Sequence, residues 1–225
     1  MKHETLVTYG GPFAAVRPDR IQTSVSPNGG IVFLIAKRMI DVVFAVLALP
    51  ILLLVSLLIF FANQIWNPGP LFYRQMRMGR AGEPFKMWKF RTMIENGGTV
   101  RAANAPLEEH RITRLGRLLR RTKIDELPNI LNIFTGDMSL VGPRPDAYAH
   151  ATEYIGRIPR YRMRYAVRPG ITGLAQVRGG YADTSGGVKR KAHYDSFYIR
   201  HRSIKLELYI IVSTIRVVFS GFGQR

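Results

Sequence analysis

From position 42 to position 62 the chain runs apolar without a single charge (VVFAVLALPILLLVSLLIFFA). At about 1.5 Å per residue that is about 30 Å of helix, the thickness of a bilayer's hydrocarbon core. The stretch begins too late and runs too long for a cleaved signal peptide, and no small-residue cleavage site follows it. It predicts residence in a membrane. Pro50, near its middle, removes one backbone bond and can kink a helix. Lys37 and Arg38 precede the stretch; Arg74, Arg77, Arg80, Lys86, Lys89 and Arg91 follow it. Positive charge, the mark of the cytoplasmic side, therefore lies at both ends. A proline-kinked span and a hairpin that dips into one leaflet and returns both remain open on this pattern.

Beyond Asn67-Pro68-Gly69-Pro70 the periodicity changes. Positions 71–78 and 85–93 read as strands joined by Gly79-Arg80-Ala81-Gly82. Positions 94–106, with Gly97-Gly98, read as a flexible loop. Positions 108–121 read as a basic amphipathic helix, with Ile112, Leu115, Leu118 and Leu119 on one side and Arg111, Arg114, Arg117 and Arg121 on the other. Such a helix can lie among lipid headgroups or cover a soluble core. Pro128 belongs in the first turn of the next helix, which sets a start near Asp125. Ile130, Leu131, Ile133 and Phe134 then form its buried face, and Gly136 its stop. Positions 168–173 are turn-rich, and 181–187 form another loop. Positions 204–219 make a mostly apolar helix, too charged at Lys205, Glu207 and Arg216 to span. The expected organisation is a flexible tail over 1–30, a membrane helical segment over 31–66 and one domain over 67–225.

Charge narrows the partners. With 33 Lys+Arg against 15 Asp+Glu, the chain carries +18, which suits nucleic acid, anionic membrane or a phosphorylated substrate. The absence of cysteine excludes disulfides, thiol catalysis and thiolate metal sites. Lys86, Lys89 and Arg91 alternate with Trp88 and Phe90. This patch fits a membrane interface or single-stranded nucleic acid, and the neighbouring apolar segment favours the membrane. The histidines show no paired zinc spacing, and there is neither a GxSxG elbow nor a P-loop lysine. Gly97-Gly98 and Gly186-Gly187 read as hinges, and Glu108-Glu109 as solvated.

What remains is Asp125-Glu126, set between Arg120, Arg121 and Lys123 on one side and Gly142-Pro143-Arg144-Pro145 on the other. Asp125 as a helix cap and Glu126 as a first-turn acid would explain the pair structurally. Chemically, a carboxylate can attack phosphorus and form an acyl phosphate. Mg²⁺ and arginine would screen its repulsion from a diphosphate. Arg120 and Arg144 are candidate bidentate clamps, and Lys89 and Arg91 further phosphate-binding candidates. Both readings stay open on the local pattern.

Taken together, several segments resemble the bacterial sugar transferase family, the monotopic polyprenyl-phosphate phosphoglycosyl transferases. They are Lys37-Arg38-x-x-Asp41, Asn67-Pro68-Gly69-Pro70, Phe85-Lys86-Met87-Trp88-Lys89-Phe90-Arg91-Thr92-Met93, Asp125-Glu126-Leu127-Pro128, Gly136-Asp137-Met138-Ser139-Leu140-Val141-Gly142-Pro143-Arg144-Pro145 and Arg168-Pro169-Gly170-Ile171-Thr172-Gly173. The resemblance covers all but the N-terminal tail. It implies a mostly helical α+β fold: a re-entrant membrane helix-break-helix and a small catalytic domain with a β-hairpin and interfacial amphipathic helices. It implies a ping-pong reaction in which Asp125 attacks a UDP-sugar, UMP leaves, and the sugar phosphate passes to polyprenyl (undecaprenyl) phosphate. Glu126 maps to the Mg²⁺-associated carboxylate, Arg120 and Arg144 to arginines of the site, and Pro50 to the membrane break. The expected partners are UDP-sugar, polyprenyl phosphate and membrane lipids, without nucleic acid; a homodimer is compatible. The expected place is the bacterial inner membrane, with the domain on the cytoplasmic face, at the first membrane step of a glycoconjugate or exopolysaccharide pathway. Two departures stand out: Leu49-Pro50 where the family has Ser-Pro about a turn later, and Leu174 where it often has Trp.

Overall fold

The computed structural model describes residues 30–94, 108–158, 161–179 and 185–220. The expected tail up to residue 29, the loop from 95 onwards and positions 181–184 lie outside the described residues. The fold is mostly helical, with two small two-stranded sheets.

Helix α1 (Ile31–Trp66) has 36 residues and contains Pro50. The helix-break-helix expected there is one continuous helix in this structure. Pro50 withholds a single backbone bond, and the turns on either side keep their own. Asp41, Ala45, Ala48, Leu52, Ile59 and Asn63 are its buried positions, spaced so that one stripe faces the domain. The other side exposes Leu47, Leu53, Phe61 and Ile65. Among the described residues α1 is the helix long and apolar enough to cross a membrane.

Both ends of α1 are tied to the same domain. Near its start, Lys37 Nζ donates to the Val141 carbonyl (3.0 Å) and pairs with Glu207 (2.6 Å). Arg38 donates to the carbonyls of Ile133 (2.8 Å) and Phe134 (3.0 Å). Asp41 accepts from Ser139 Oγ (3.1 Å) and the Leu140 amide (2.9 Å). At its end, Asn63 donates to the Gly69 carbonyl (2.8 Å) and Asn67 to that of Arg91 (2.9 Å). The Arg91 guanidinium returns the contact, donating to the carbonyls of Asn67, Pro68 and Pro70.

The hairpin forms as expected: β1 (Phe72–Met78) and β2 (Pro84–Phe90) pair antiparallel, Phe72 opposite Phe90. The basic-aromatic patch does not form on its surface. Met87 and Phe90 are core residues, and Arg74 lies over the Trp88 ring at 5.0 Å. Lys89 and Arg91 are engaged by protein groups. The helix expected over 108–121 is shorter: a 3₁₀ turn (Glu109–Arg111) precedes α2 (Arg114–Thr122). Thr113 caps α2, its hydroxyl accepting from the Gly116 amide (2.9 Å). Leu115 and Leu119 point inward, while Leu118 is exposed.

After α3 (Asn129–Thr135) come β3 (Ser139–Val141), α4 (Tyr148–Arg157), a 3₁₀ turn (Tyr161–Ala166) and β4 (Gly170–Thr172). Then follow α5 (Leu174–Gly179), α6 (Ser185–Arg200) and α7 (Ile204–Ser220). Gly186 and Gly187 therefore begin a helix rather than form a hinge. β3 and β4 pair parallel, Ser139 opposite Gly170. The two backbones approach so closely that a Cβ on Gly170 would sit 2.1 Å from the Gly142 nitrogen.

The core has a larger and a smaller part flanking α1. Ala45 and Ala48 pack with Met87, Ile130, Ile133, Met138, Tyr198 and Ile210. Leu52 and Ile59 pack with Phe90, Leu115 and Leu119. Leu174 is buried in the larger part, so its side chain faces neither lipid nor solvent.

Candidate active site

The acid pair lies at a sharp change of direction. After α2, Lys123 adopts a left-handed conformation (φ 60°), uncommon for a residue with a Cβ. A 3₁₀ turn (Ile124–Glu126) follows. Ile124 and Leu127 pack against the smaller core, which fixes the turn from both sides of the pair. α3 begins only at Asn129, with Pro128 at its cap position. This corrects the expected helix start at Asp125, which caps no helix. The expected stop at Gly136 holds (φ 94°). Of the expected buried face, Ile130 and Ile133 are buried, while Phe134 is exposed.

The two carboxylates have different surroundings. Glu126 Oε1 accepts from Lys89 Nζ (2.9 Å) and Arg144 Nη2, and Oε2 accepts from Arg144 Nη1 (3.0 Å). Burial alone would raise the carboxyl's pKa, but the charges and hydrogen bonds of Arg144 and Lys89 hold it well below the usual value. Asp125 is also buried, yet no described residue gives it a hydrogen bond. Burial pushes its pKa up; Lys89 and Arg120 pull it down, and Glu126 adds to the rise. One acid is thus clamped by cations, and its neighbour accepts from no donor among the described residues.

Of the sequence candidates, the structure brings Lys89, Arg144 and Arg120 to the pair and leaves Arg91 out. Lys89 itself is lowered from the usual lysine value, by burial first and by Arg144 and Arg77 next, against Glu126. Arg120 carries a buried Nη1 without a hydrogen-bond partner among the described residues. The donors of Arg91 go to the carbonyls that close α1. Pro50 lies within α1, outside this cluster.

Arg77 was missed as a site residue. Its Nη1 donates to the Pro145 carbonyl (3.0 Å). Its pKa falls to about 10, through burial first and then the neighbouring charge of Arg144. The residue two positions before the hairpin turn carries no signal of this in a chain so rich in arginine. Asp146, which follows the Arg144 segment and pairs with Arg164 and Lys191, was missed too; the scarcity of acids was the available clue.

The sequence profile of bacterial sugar transferases matches residues 32–221. This chain belongs to the bacterial sugar transferase family. It is 45% identical over 183 residues to a UDP-glucose:undecaprenyl-phosphate glucose-1-phosphate transferase of Caulobacter vibrioides, covering 80% of this chain and 68% of that one. It is 37% identical over 194 residues to a UDP-N-acetylgalactosamine-undecaprenyl-phosphate N-acetylgalactosaminephosphotransferase of Aeromonas hydrophila, covering 86% and 46%. It is also 39% identical over 192 residues to the exopolysaccharide production protein PSS of Rhizobium leguminosarum bv. phaseoli, covering 81% and 94%. The chain spans less than half the length of the Aeromonas protein. The matched residues include Asp125-Glu126-Leu127-Pro128, the turn described above, and Gly142-Pro143-Arg144-Pro145, which delivers Arg144 to Glu126.

Proposed function

We propose that this protein transfers a sugar-1-phosphate from a UDP-sugar to polyprenyl phosphate, in the family's chemistry, through a phosphosugar on Asp125. The observation that carries the reading is the contrast within the pair: Asp125 is buried and accepts from no donor among the described residues, beside a Glu126 held by Lys89 and Arg144. An oxygen of ionised Asp125 attacks the β-phosphorus. The bond from that phosphorus to the bridging oxygen breaks, and UMP leaves with the electron pair. A phosphate oxygen of the lipid then attacks the same phosphorus and expels the Asp125 carboxylate, which regenerates it. Two displacements at one phosphorus make the reaction ping-pong.

Glu126 gathers cations where the transferring phosphoryl must sit. Arg144 presents a fork suited to two phosphate oxygens, and Lys89 a point charge. Arg120, on the last turn of α2, favours ionised Asp125. A Mg²⁺ fits this pair in the way the ion is usually held, by one or two carboxylates plus substrate phosphates. Asp125, whose oxygens accept from no described residue, and Glu126, in exchange for part of its contact with Lys89 or Arg144, would hold it. When bound, the ion supplies screening of phosphate charge.

The membrane placement belongs to the same proposal. Both ends of α1 bond to one domain, and both flanks are basic, which supports a re-entrant α1 that stays helical but bends where Pro50 leaves a backbone bond unmade, with both ends on the cytoplasmic face of the bacterial inner membrane. The lipid acceptor then approaches from the side on which α1 is apolar and exposed. The test is a panel of UDP-sugars with Mg²⁺ and undecaprenyl phosphate, followed for UMP and for the lipid diphosphosugar. UMP with the lipid product supports the reading; inorganic phosphate as the main product, or activity retained by Asp125→Asn, overturns it.

A further inference from the structure

The segment that carries Arg144 is held in an unusual way. Pro143 and Pro145 have no N–H, so the backbone on either side of Arg144 has few donors of its own. Four successive carbonyls are instead each taken by a donor from elsewhere in the fold. The Pro143 carbonyl accepts from the Gly170 amide (3.0 Å) and that of Asp146 from the Met78 amide (3.1 Å). The Pro145 carbonyl accepts from Arg77 (3.0 Å). The carbonyl of Arg144 itself accepts from Arg164 Nη2 (2.8 Å).

Arg164 is the least expected of these donors. Its side chain is 1% exposed, far from the place of an ordinary surface arginine. Nε pairs with Asp195 (2.6 Å), and Nη1 pairs with Asp146 and donates to the Tyr161 hydroxyl. Tyr161 (2.8 Å) and Lys191 (2.8 Å) also donate to Asp146. A charged cluster with Arg164 and Asp195 so completely buried is costly unless its members are paired. Hydrophobic residues of similar volume would fill the space without that cost. What they would lack is a donor aimed at the Arg144 carbonyl.

We infer that Arg164, fixed by Asp146 and Asp195, is a positioning residue for Arg144, holding its peptide so that the guanidinium meets the phosphates of the substrate. This rests on the proposed phosphate role of Arg144. Arg164 touches no substrate: it acts through one carbonyl, and its planar fork reaches both acids and that carbonyl at once. Lysine keeps the charge but has no fork to span three directions.

The test is a double-mutant cycle read by UDP binding, with Mg²⁺ present, to the full chain carrying Asp125→Asn to prevent turnover. Arg164→Lys is expected to weaken UDP about tenfold, the order expected when a charge-assisted contact is lost. In an Arg144→Gln background the same change is expected to alter affinity less than about twofold, because the group it positions is gone. Equal weakening with and without Arg144 overturns the inference, since a general loosening of the fold would act in both backgrounds. Unchanged affinity on Arg164→Lys overturns it as well. Should Arg164→Lys fail to fold, Tyr161→Phe takes its place in the cycle, with a smaller loss expected only where Arg144 is present. An Asp125→Asn parent that binds no UDP overturns the functional reading itself, and the inference with it.

Discussion

Neutralising Glu126 and neutralising Asp125 are expected to change stability differently, although the two residues are adjacent. Glu126→Gln keeps the size and removes the charge. In the native protein both oxygens of Glu126 accept, from Lys89 and from the Arg144 fork. A glutamine offers one acceptor and turns an NH₂ towards a donor. At least one charge-assisted bond is lost, and Lys89 and Arg144 face each other without the anion between them. Such a bond contributes roughly 1.5–3 kcal/mol. The Arg144 side chain is 34% exposed, so solvent screening trims its share, leaving a loss of about 2 kcal/mol. For a chain of this size that lowers Tm by roughly 4–8 °C. Asp125→Asn removes no hydrogen bond from a described residue and removes a charge that burial disfavours. Its Tm should hold or rise. The pH dependence has the matching signs. The lowered pKa of Glu126 gives stability that is complete above its usual 4.5 and is lost as pH falls through the folded value. The raised pKa of Asp125 works against stability as pH rises through its folded value. Thermal unfolding of the full chain at pH 7, without nucleotide, measures both variants. Glu126→Gln melting with the wild type, or Asp125→Asn falling as far as Glu126→Gln, would refute the reasoning.

Other predictions follow from the same contacts. Single-turnover UMP release should rise with pH through a midpoint above the ordinary aspartate value, since the nucleophile must be ionised and its pKa is raised; Lys89→Met should move that midpoint higher. Arg91→Gln should lower Tm and leave the KM for UDP-sugar nearly unchanged, because its donors close the end of α1; a KM effect with no stability loss would contradict this. Gly170→Ala should prevent proper folding, measured as loss of soluble, cooperatively melting protein, because its Cβ meets backbone at 2.1 Å.

Local chemistry was legible in the sequence wherever a residue acts on its own neighbours. Gly79 to Gly82 announced the hairpin, Gly136 the end of α3, and Asn67-Pro68-Gly69-Pro70 the end of α1. Asp125, Glu126, Lys89, Arg120 and Arg144, which the structure brings together, were singled out because acids are rare here and motif segments surround them. What was missed depends on contacts distant in sequence. Lys89 and Arg91 sit two apart on one strand run and look alike, yet one meets Glu126 and the other meets the carbonyls at the end of α1. Arg164 and its partners Asp146 and Asp195 come together only when three segments pack. Thr113 shortened the amphipathic helix because its cap outweighed the apolar periodicity that suggested an earlier start. Pro128 placed the helix start correctly to within a turn, but the 3₁₀ turn before it took the acid pair out of the helix and left Asp125 without a capping task.

The central claim is that Asp125 carries the phosphosugar. The most direct measurement is intact-mass and peptide mass spectrometry of the full chain incubated with Mg²⁺ and a UDP-sugar in the absence of lipid acceptor. The account predicts a phosphosugar adduct on the peptide containing Asp125, formed in step with UMP and discharged when undecaprenyl phosphate is added. UMP release without an adduct, an adduct on another residue, or an adduct that persists in Asp125→Asn would contradict it.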